Sequence, residues 1–248
     1  MEPLHYVIFH PDSAREQLRV EGRALVGSKP LSWAGEVWID DECGNEDPFV
    51  LTERWLYSYC HATQLRRAPS PRGYVTSGSV LFFCSGDATN KGVLQVDTLF
   101  VVAHAAQWAS PKSGLPAEFR GHFKNLHSDL WNRHFRFPFD GEHAGEFTYV
   151  AKAWTEGAEE YSCLPLDKKG KRVAIDFKQL SLDMRKAILA KVQGKYPVQL
   201  NKTQKDELFG RVLEQAQVQI VSISTRRNVN GSSAGATCGA PAIRSRSC

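Results

Sequence analysis

The chain has 248 residues, of which 42% are hydrophobic and 23% are charged, the balance of an ordinary globular protein. It has no apolar run near the roughly 18 residues of a membrane span and no apolar N-terminal region of signal-peptide length. We therefore expect a cytoplasmic protein that contacts no membrane. The six cysteines are scattered without a Cys-x-x-Cys pair, which predicts free thiols and argues against zinc.

The formal net charge of +4 comes from the C-terminal end of the chain. Residues 225–248 hold four arginines and no acidic residue, so the 31 basic residues fall to 27 in residues 1–224, against 27 acidic ones. The sequence predicts one neutral α+β domain over residues 1–224 and a disordered basic tail over residues 225–248.

The N-terminal part alternates between strand and helix signals. Residues 4–9 are apolar and predict a strand, and Ser13 with Glu16 reads as a capping box that opens a helix over residues 14–21, ended by Gly22. A short strand is predicted around Trp33 and residues 37–39.

A second predicted helix begins near Thr52. Trp55, Leu56 and Tyr59 fall on one helical face after this cap, and the prolines of residues 65–71 end the element.

Residues 79–103 are predicted to form a central hairpin. Residues 79–84 and 93–103 are two apolar, β-branched and aromatic runs, joined by a turn that contains Gly86, Asp87, Asn90 and Gly92. Runs that are apolar on both faces belong in the interior of a sheet. We therefore predict antiparallel neighbours in the middle of a curved sheet.

The rest of the chain supplies flanking elements. We predict a helix over residues 117–132, strands over 146–154, 163–166, 172–177 and 217–224, and a helical C-terminal part over 181–216 with helices at 182–193 and 203–215. The turn 167–172 is strongly basic and is either a phosphate contact or a solvated hairpin tip.

Three residues are candidates for acid–base chemistry. Asp97 lies among valines in a central strand, where a carboxylate is costly unless it is paired, so it is either structural or an acceptor for the edge of a base. His104 lies just past this apolar run, and Glu146 opens the next predicted strand. Carboxylate and imidazole suit proton transfer near neutral pH if they converge.

Aromatic and arginine residues favour a nucleotide as the ligand. Tyr59 or Trp33 would stack on a base, and Arg66 and Arg67 would contact phosphate. An amphipathic helix with a solvated basic end explains the same pattern. Phosphate-loop, dinucleotide, zinc-protease and esterase signatures are missing, and the histidine spacings fit no helical zinc site. We predict no metal and no cofactor.

The runs GSVLFFCS and GVLQVDTLFVVA resemble the core of PUA-like domains, the group that includes the EVE, ASCH and nucleotide-modification-associated families. Gly78, Ser79 and residues 81–83 match the first strand of the pattern, and Asp97 to Val102 match the second, within residues 57–102. The resemblance implies a curved, barrel-type, mostly antiparallel sheet whose pocket holds a base, often a modified one.

The predicted function is a module that binds or processes a nucleotide or a nucleic-acid base. Two alternatives stay open: an enzyme that acts on nucleotides or nucleic acid with Asp97 or Glu146 as base and His104 as acid, and a protein-interaction module without a ligand pocket. A pocket lined by polar groups favours the first two readings over the third.

Overall fold

Two sheets and two helices make up the part of the chain that the structure, a computed structural model, describes: residues 2–10, 15–40, 48, 50, 55–58, 65, 75–85, 92–107, 147–189 and 197–228. The elements are β1 (His5–His10), β2 (Arg15–Val26), β3 (Lys29–Asp40), β4 (Leu56–Ser58), β5 (Val80–Ser85), β6 (Val93–Gln107), β7 (Phe147–Ala151), β8 (Leu164–Leu166), β9 (Val173–Asp176), α1 (Leu182–Leu189), β10 (Val198–Leu200), α2 (Lys202–Gln215) and β11 (Val218–Asn228).

The larger sheet has the strand order β10-β1-β5-β6-β7-β4, with β9 also paired to β6. Only β1 and β5 run parallel among its described pairs. The smaller sheet has the order β3-β2-β11-β8 and is antiparallel throughout. The predicted α+β class with a curled, mostly antiparallel sheet is confirmed at this level.

The predicted central hairpin is confirmed. β5 and β6 pair antiparallel, with Val80 opposite Val101 and Phe82 opposite Leu99, and every residue of β5 is buried. Both strands have further neighbours, β1 beside β5 and β7 beside β6, so neither is an edge. Strands this apolar are stable only when both of their faces are covered.

Two cores cover these two faces. Leu81, Phe83 and Phe100 point toward the smaller sheet and pack with residues such as Leu18 and Ile220. The alternate residues of β5 and β6, such as Phe82, Leu99 and Val101, point the other way. They pack against buried residues of the two helices: Met184, Ile188, Leu208 and Val212. The larger sheet is therefore the middle layer of three.

Two buried cysteines lie in the helix-side core. Cys84 and Cys163 are free thiols, as predicted, and burial raises the pKa of Cys163 to about 12. A thiol that stays protonated is a poor nucleophile, so Cys163 acts as a small apolar side chain. Cys43 and Cys60 lie outside the described residues.

The helix predicted over residues 14–21 is wrong, because β2 runs through Arg15–Val26. Leu18 and Val20 are buried while Gln17 and Arg19 are exposed, which is the two-residue alternation of a strand. Gly22 is no helix stop: a Cβ there would lie 1.9 Å from the carbonyl oxygen of Ser222 on β11, so glycine permits the close approach of two strands.

The helix predicted after Thr52 is contradicted where the structure describes that segment. Leu56–Ser58 is the strand β4, which pairs with β7. The Tyr57 ring lies edge-on to Phe83 with 4.9 Å between the ring centroids and is stacked 6.1 Å from Tyr149. An aromatic cluster between the sheets thus outweighs the helical pattern of the local sequence.

The two C-terminal helices are confirmed, with one change of cap. Ser181 Oγ accepts from the Met184 amide at the start of α1, as predicted. α2 begins after Asn201, whose side chain forms a capping box with Gln204, rather than at Thr203. Neither described helix has the length and apolarity needed to cross a membrane.

The last strand extends beyond its predicted end. β11 continues to Asn228, four residues into the segment predicted as tail, and pairs there with residues 18–21 of β2. Residues 229–248 and the helix predicted over residues 117–132 lie outside the described part of the chain, so both remain predictions.

Two truncations locate the boundary of the folded domain. Deleting residues 229–248 should leave the free energy of unfolding unchanged. Deleting residues 225–248 removes the end of β11 and should lower it by at least about 2 kcal/mol, since each lost main-chain hydrogen bond contributes about 1 kcal/mol. Urea unfolding followed by circular dichroism measures both. Equal stabilities would mean that residues 225–228 contribute nothing to the sheet.

Candidate functional site

Asp97, the central residue of the predicted site, lies at a β-bulge. Phe83 is opposite Thr98 and Cys84 is opposite Val96, so Asp97 is the extra residue on β6. Val96 and Leu99 both belong to the helix-side core, which shows that the alternation of side chains shifts across the bulge. Asp97 therefore points toward the smaller sheet, out of an otherwise apolar strand.

A buried ion pair holds the Asp97 carboxylate through one of its two oxygens. Its Oδ1 accepts from Ser85 Oγ and from Arg172 Nη1, each at 3.0 Å, and Arg172 Nη1 also donates to Ser85 Oγ. The Asp97 side chain is fully buried and that of Arg172 is 14% exposed. Charge and hydrogen bonds together offset the cost of removing this carboxylate from water.

Arg172 connects this cluster to the smaller sheet. Its guanidinium carbon lies 5.0 Å from the centroid of the Trp38 ring of β3. The backbones of Arg172 and Leu166 form an antiparallel bridge across the turn between β8 and β9. β8 pairs in the smaller sheet, and β9 pairs in the larger one. The arginine that the sequence offered as a phosphate contact instead holds the two sheets together at this end.

The other predicted site residues do not gather around Asp97. Trp33 is partly buried against the core between the sheets, with its ring over Gly35. His104 is exposed near the end of β6, seven residues and roughly 20 Å along the strand from Asp97, so the two form no acid–base pair. Tyr59, Arg66, Arg67 and Glu146 lie outside the described residues.

Replacing Asp97 tests its structural role. Asp97→Ala leaves the Arg172 guanidinium buried without its carboxylate and should lower the free energy of unfolding by about 3 kcal/mol. The double variant Asp97→Ala/Arg172→Met should recover most of this loss. Chemical denaturation measures both, and a stable single variant would contradict the assignment.

A cleft that the sequence did not indicate lies on the helix side of the larger sheet. It has a volume of about 640 Å³ and opens beside the first turn of α2. Its lining residues come from the N-terminal segment, β1, the segment before β8, β10 and α2: Glu2, Pro3, Leu4, His5, Gly78, Glu160, Gln199, Leu200, Asn201, Lys202, Lys205 and Asp206.

His5 is one of two buried polar residues, with Lys205, among the described residues that line this cleft. Tyr6 and Ile8 of β1 belong to the core between the sheets and Val7 to the helix-side core, so alternation places His5 on the helix side. The Val80 amide donates to His5 Nδ1 at 3.0 Å. Burial and the nearby Lys205 ammonium lower the pKa of His5 to about 4. The ring is therefore neutral near pH 7 and carries its hydrogen on Nε2.

Lys205 lies in the same cleft, held by two carboxylates. Its Nζ is 2.8 Å from Glu160 Oε1 and 2.5 Å from Asp206 Oδ1. Burial opposes its charge, but the hydrogen bonds to Asp206 and Glu160 prevail and raise the pKa of Lys205. Hydrogen bonds from Lys202 and Lys205 lower the pKa of Asp206. Lys205 and Asp206 are therefore both charged near neutral pH.

The charges of the cleft decide which ligands it suits. Three carboxylates (Glu2, Glu160, Asp206) face two ammonium groups (Lys202, Lys205) and a neutral imidazole, so the lining carries a net charge of −1. This net negative charge disfavours a phosphate, whose strongest side-chain contacts are with Arg and Lys. The cleft instead offers both donors and acceptors to a ligand without net negative charge. No group of His, Cys, Asp and Glu among the described residues is arranged to hold a metal ion.

The pH dependence of stability reports on His5. The pKa of His5 is about 4 in the folded protein and 6.5 in the unfolded chain, so between these pH values the unfolded chain binds more protons. Stability is therefore greatest above pH 6.5 and falls by roughly 3 kcal/mol as the pH drops toward 4. Urea unfolding across this range should show the fall in the wild type.

The matched variant is His5→Asn, whose side-chain oxygen can accept from the Val80 amide. Its free energy of unfolding should not show the fall that His5 causes in the wild type. Carboxylates titrate in both proteins, so their effect cancels when one curve is subtracted from the other. Parallel curves for the two proteins would contradict a neutral, buried His5.

Comparison of the chain with family models, with curated proteins and with solved structures gives no match.

Proposed function

We propose that this chain binds a nucleobase or a nucleoside in the cleft formed by β1, β10 and the first turn of α2. The observation that carries the proposal is the neutral, buried imidazole of His5 beside the ion-paired Lys205 in a cavity of about 640 Å³. Small-molecule sites usually enclose about 300–1,000 Å³ and contain a few fixed polar groups.

The polar groups of the cleft suit the edge of a base. A base presents carbonyl and ring-nitrogen acceptors next to exocyclic amino donors. His5 Nε2–H and the Lys202 ammonium are donors, and the carboxylates of Glu160 and Asp206 are acceptors. Because the lining is net negative, the proposed ligand is the base or nucleoside rather than a nucleotide bearing phosphates.

The resemblance of residues 57–102 to PUA-like domains points to the same class of ligand, because those domains hold a base in a pocket of a curved sheet. The proposed pocket differs from the one that the sequence suggested. Asp97 does not line the cleft, since its carboxylate is occupied by Arg172 and Ser85. His5 and Glu160 replace Asp97 as the groups proposed to contact the base.

Equilibrium dialysis or calorimetry against a panel of bases, nucleosides and nucleoside monophosphates tests the proposal. We expect a base or nucleoside to bind, and its monophosphate to bind more weakly. His5→Asn should weaken binding by about tenfold, the effect of one lost hydrogen bond of about 1.4 kcal/mol.

His104→Asn is the matched control, because it makes the same change at an exposed histidine outside the cleft. It should bind like the wild type. Absence of binding across the panel, or equal affinities of the wild type and folded His5→Asn, would overturn the proposal.

A further inference from the structure

In the described part of the chain, the strand β3 forms a long unpaired edge of the smaller sheet. β3 spans twelve residues, Lys29–Asp40, and lies at the end of the order β3-β2-β11-β8. The edge strands of the larger sheet, β10 and β4, have three residues each. No described strand pairs with the free side of β3. Proteins usually keep such edges short or block them, because an unpaired edge is a template for another strand.

The turn before β3 determines which of its backbone groups face outward. Gly27 and Ser28 form a two-residue turn, with Gly27 at a φ of 61°, between the paired residues Val26 and Lys29. Such a turn is closed by a hydrogen-bonded pair, and hydrogen-bonded and non-hydrogen-bonded pairs then alternate. The register has no bulge up to Asp40. The odd-numbered residues of β3 therefore bond to β2.

The even-numbered residues direct their amide and carbonyl groups to the open side. Pro30 is one of them, so its missing N–H costs the β2 pairing nothing, as is usual for proline in an edge strand. The next four even-numbered residues present complete donor and acceptor pairs: Ser32, Ala34, Glu36 and Trp38.

Apart from Pro30 near its start, this edge has few of the features that block pairing with another strand. Between residues 30 and 39 it carries one charged side chain, Glu36. It has no bulge, and its odd-numbered, inward-facing side chains are uncharged: Leu31, Trp33, Gly35, Val37 and Ile39. Leu31 is 38% exposed, although it lies on the face that is buried farther along the strand. A second strand added here would extend this apolar face.

We propose that β3 pairs antiparallel with β3 of a second copy of this chain, across a two-fold axis at Gly35. Hydrogen bonds form only where outward-facing residues are opposite each other, so even-numbered residues must pair with even-numbered ones. An axis at Gly35 places Ala34 opposite Glu36, and Ser32 opposite Trp38, of the second copy. On the inner face, it places Trp33 opposite Val37 and Leu31 opposite Ile39.

The two neighbouring registers are less favourable because of repulsion between charges in one and a missing N–H in the other. An axis at Glu36 places the two Glu36 carboxylates opposite each other, and like charges in a cross-strand pair are destabilising. An axis at Ala34 places Pro30 opposite Trp38, where the missing N–H leaves a carbonyl unpaired. An axis at Gly35 keeps the two Glu36 carboxylates from facing each other. It places Pro30 opposite Asp40, so the missing N–H falls at the very end of the paired region. An isologous contact of this kind closes as a dimer without further growth.

Sedimentation and hydrogen exchange on the full chain test the proposal. The wild type should sediment as a dimer that dissociates on dilution. In the dimer the amides of Ser32, Ala34 and Glu36 should be protected, and this protection should disappear on dilution. The amides of Trp33 and Val37, which bond to β2, should stay protected throughout and serve as the internal control.

The variant Ala34→Pro removes one outward-facing N–H and should be monomeric. Ala34→Val keeps that N–H at the same site and should remain a dimer. The wild-type exchange measurement decides the question even if Ala34→Pro fails to fold. A monomeric wild type would overturn the proposal, and so would a dimer whose outward amides exchange freely. Protection of these amides in a monomer would also overturn it, since a segment of the same chain would then cover β3.

Discussion

The apolar character of both faces of β5 and β6 is the constraint on which the rest of the structure depends. Phe82 and Leu99 must be covered on one side, and Phe83 and Phe100 on the other. A two-layer arrangement would leave one of these faces in water, at a cost of about 25 cal/mol for each Å² of apolar surface. The chain responds with three layers. Its C-terminal helices cover one face, and a second sheet, built from chain segments far apart in sequence, covers the other.

Polar groups occur in this apolar framework in two different ways. A bulge turns Asp97 toward the smaller sheet, where Ser85 and Arg172 donate to one oxygen of its carboxylate. His5 and Lys205 instead line a cavity beside the first turn of α2, which is large enough for a ligand. The ion pair of Asp97 and Arg172 stabilises the fold, whereas the cleft can bind a ligand. The functional proposal therefore rests on the cleft.

The sequence predicted those elements whose local pattern agrees with their tertiary role. Examples are the strands β1, β5 and β6 and the helix α2. Their apolar runs or helical periodicity indicate directly which of their residues are buried. It failed for β2, where Ser13, Glu16 and Gly22 imitate helix signals and only the distant contact with Ser222 explains the glycine. The cleft was missed for the same reason. Glu160 lies in the segment before β8 and Lys205 in the first turn of α2, 45 residues apart, and no local sequence signal indicates that they meet.

The pairing of β11 with β2 has a consequence for how the chain is made. The contact between Ser224 and Glu21 joins residues that are 203 positions apart. At about 5–20 residues per second, β2 waits roughly 10–40 s on the ribosome for its partner. Until β11 emerges, the smaller sheet cannot be completed, because β11 is the strand that joins β2 to β8 and supplies Ile220 and Ile223 to the core between the sheets. Pairing over such separations is also slow once the whole chain is available. The core between the two sheets therefore stays incomplete until β11 has left the ribosome.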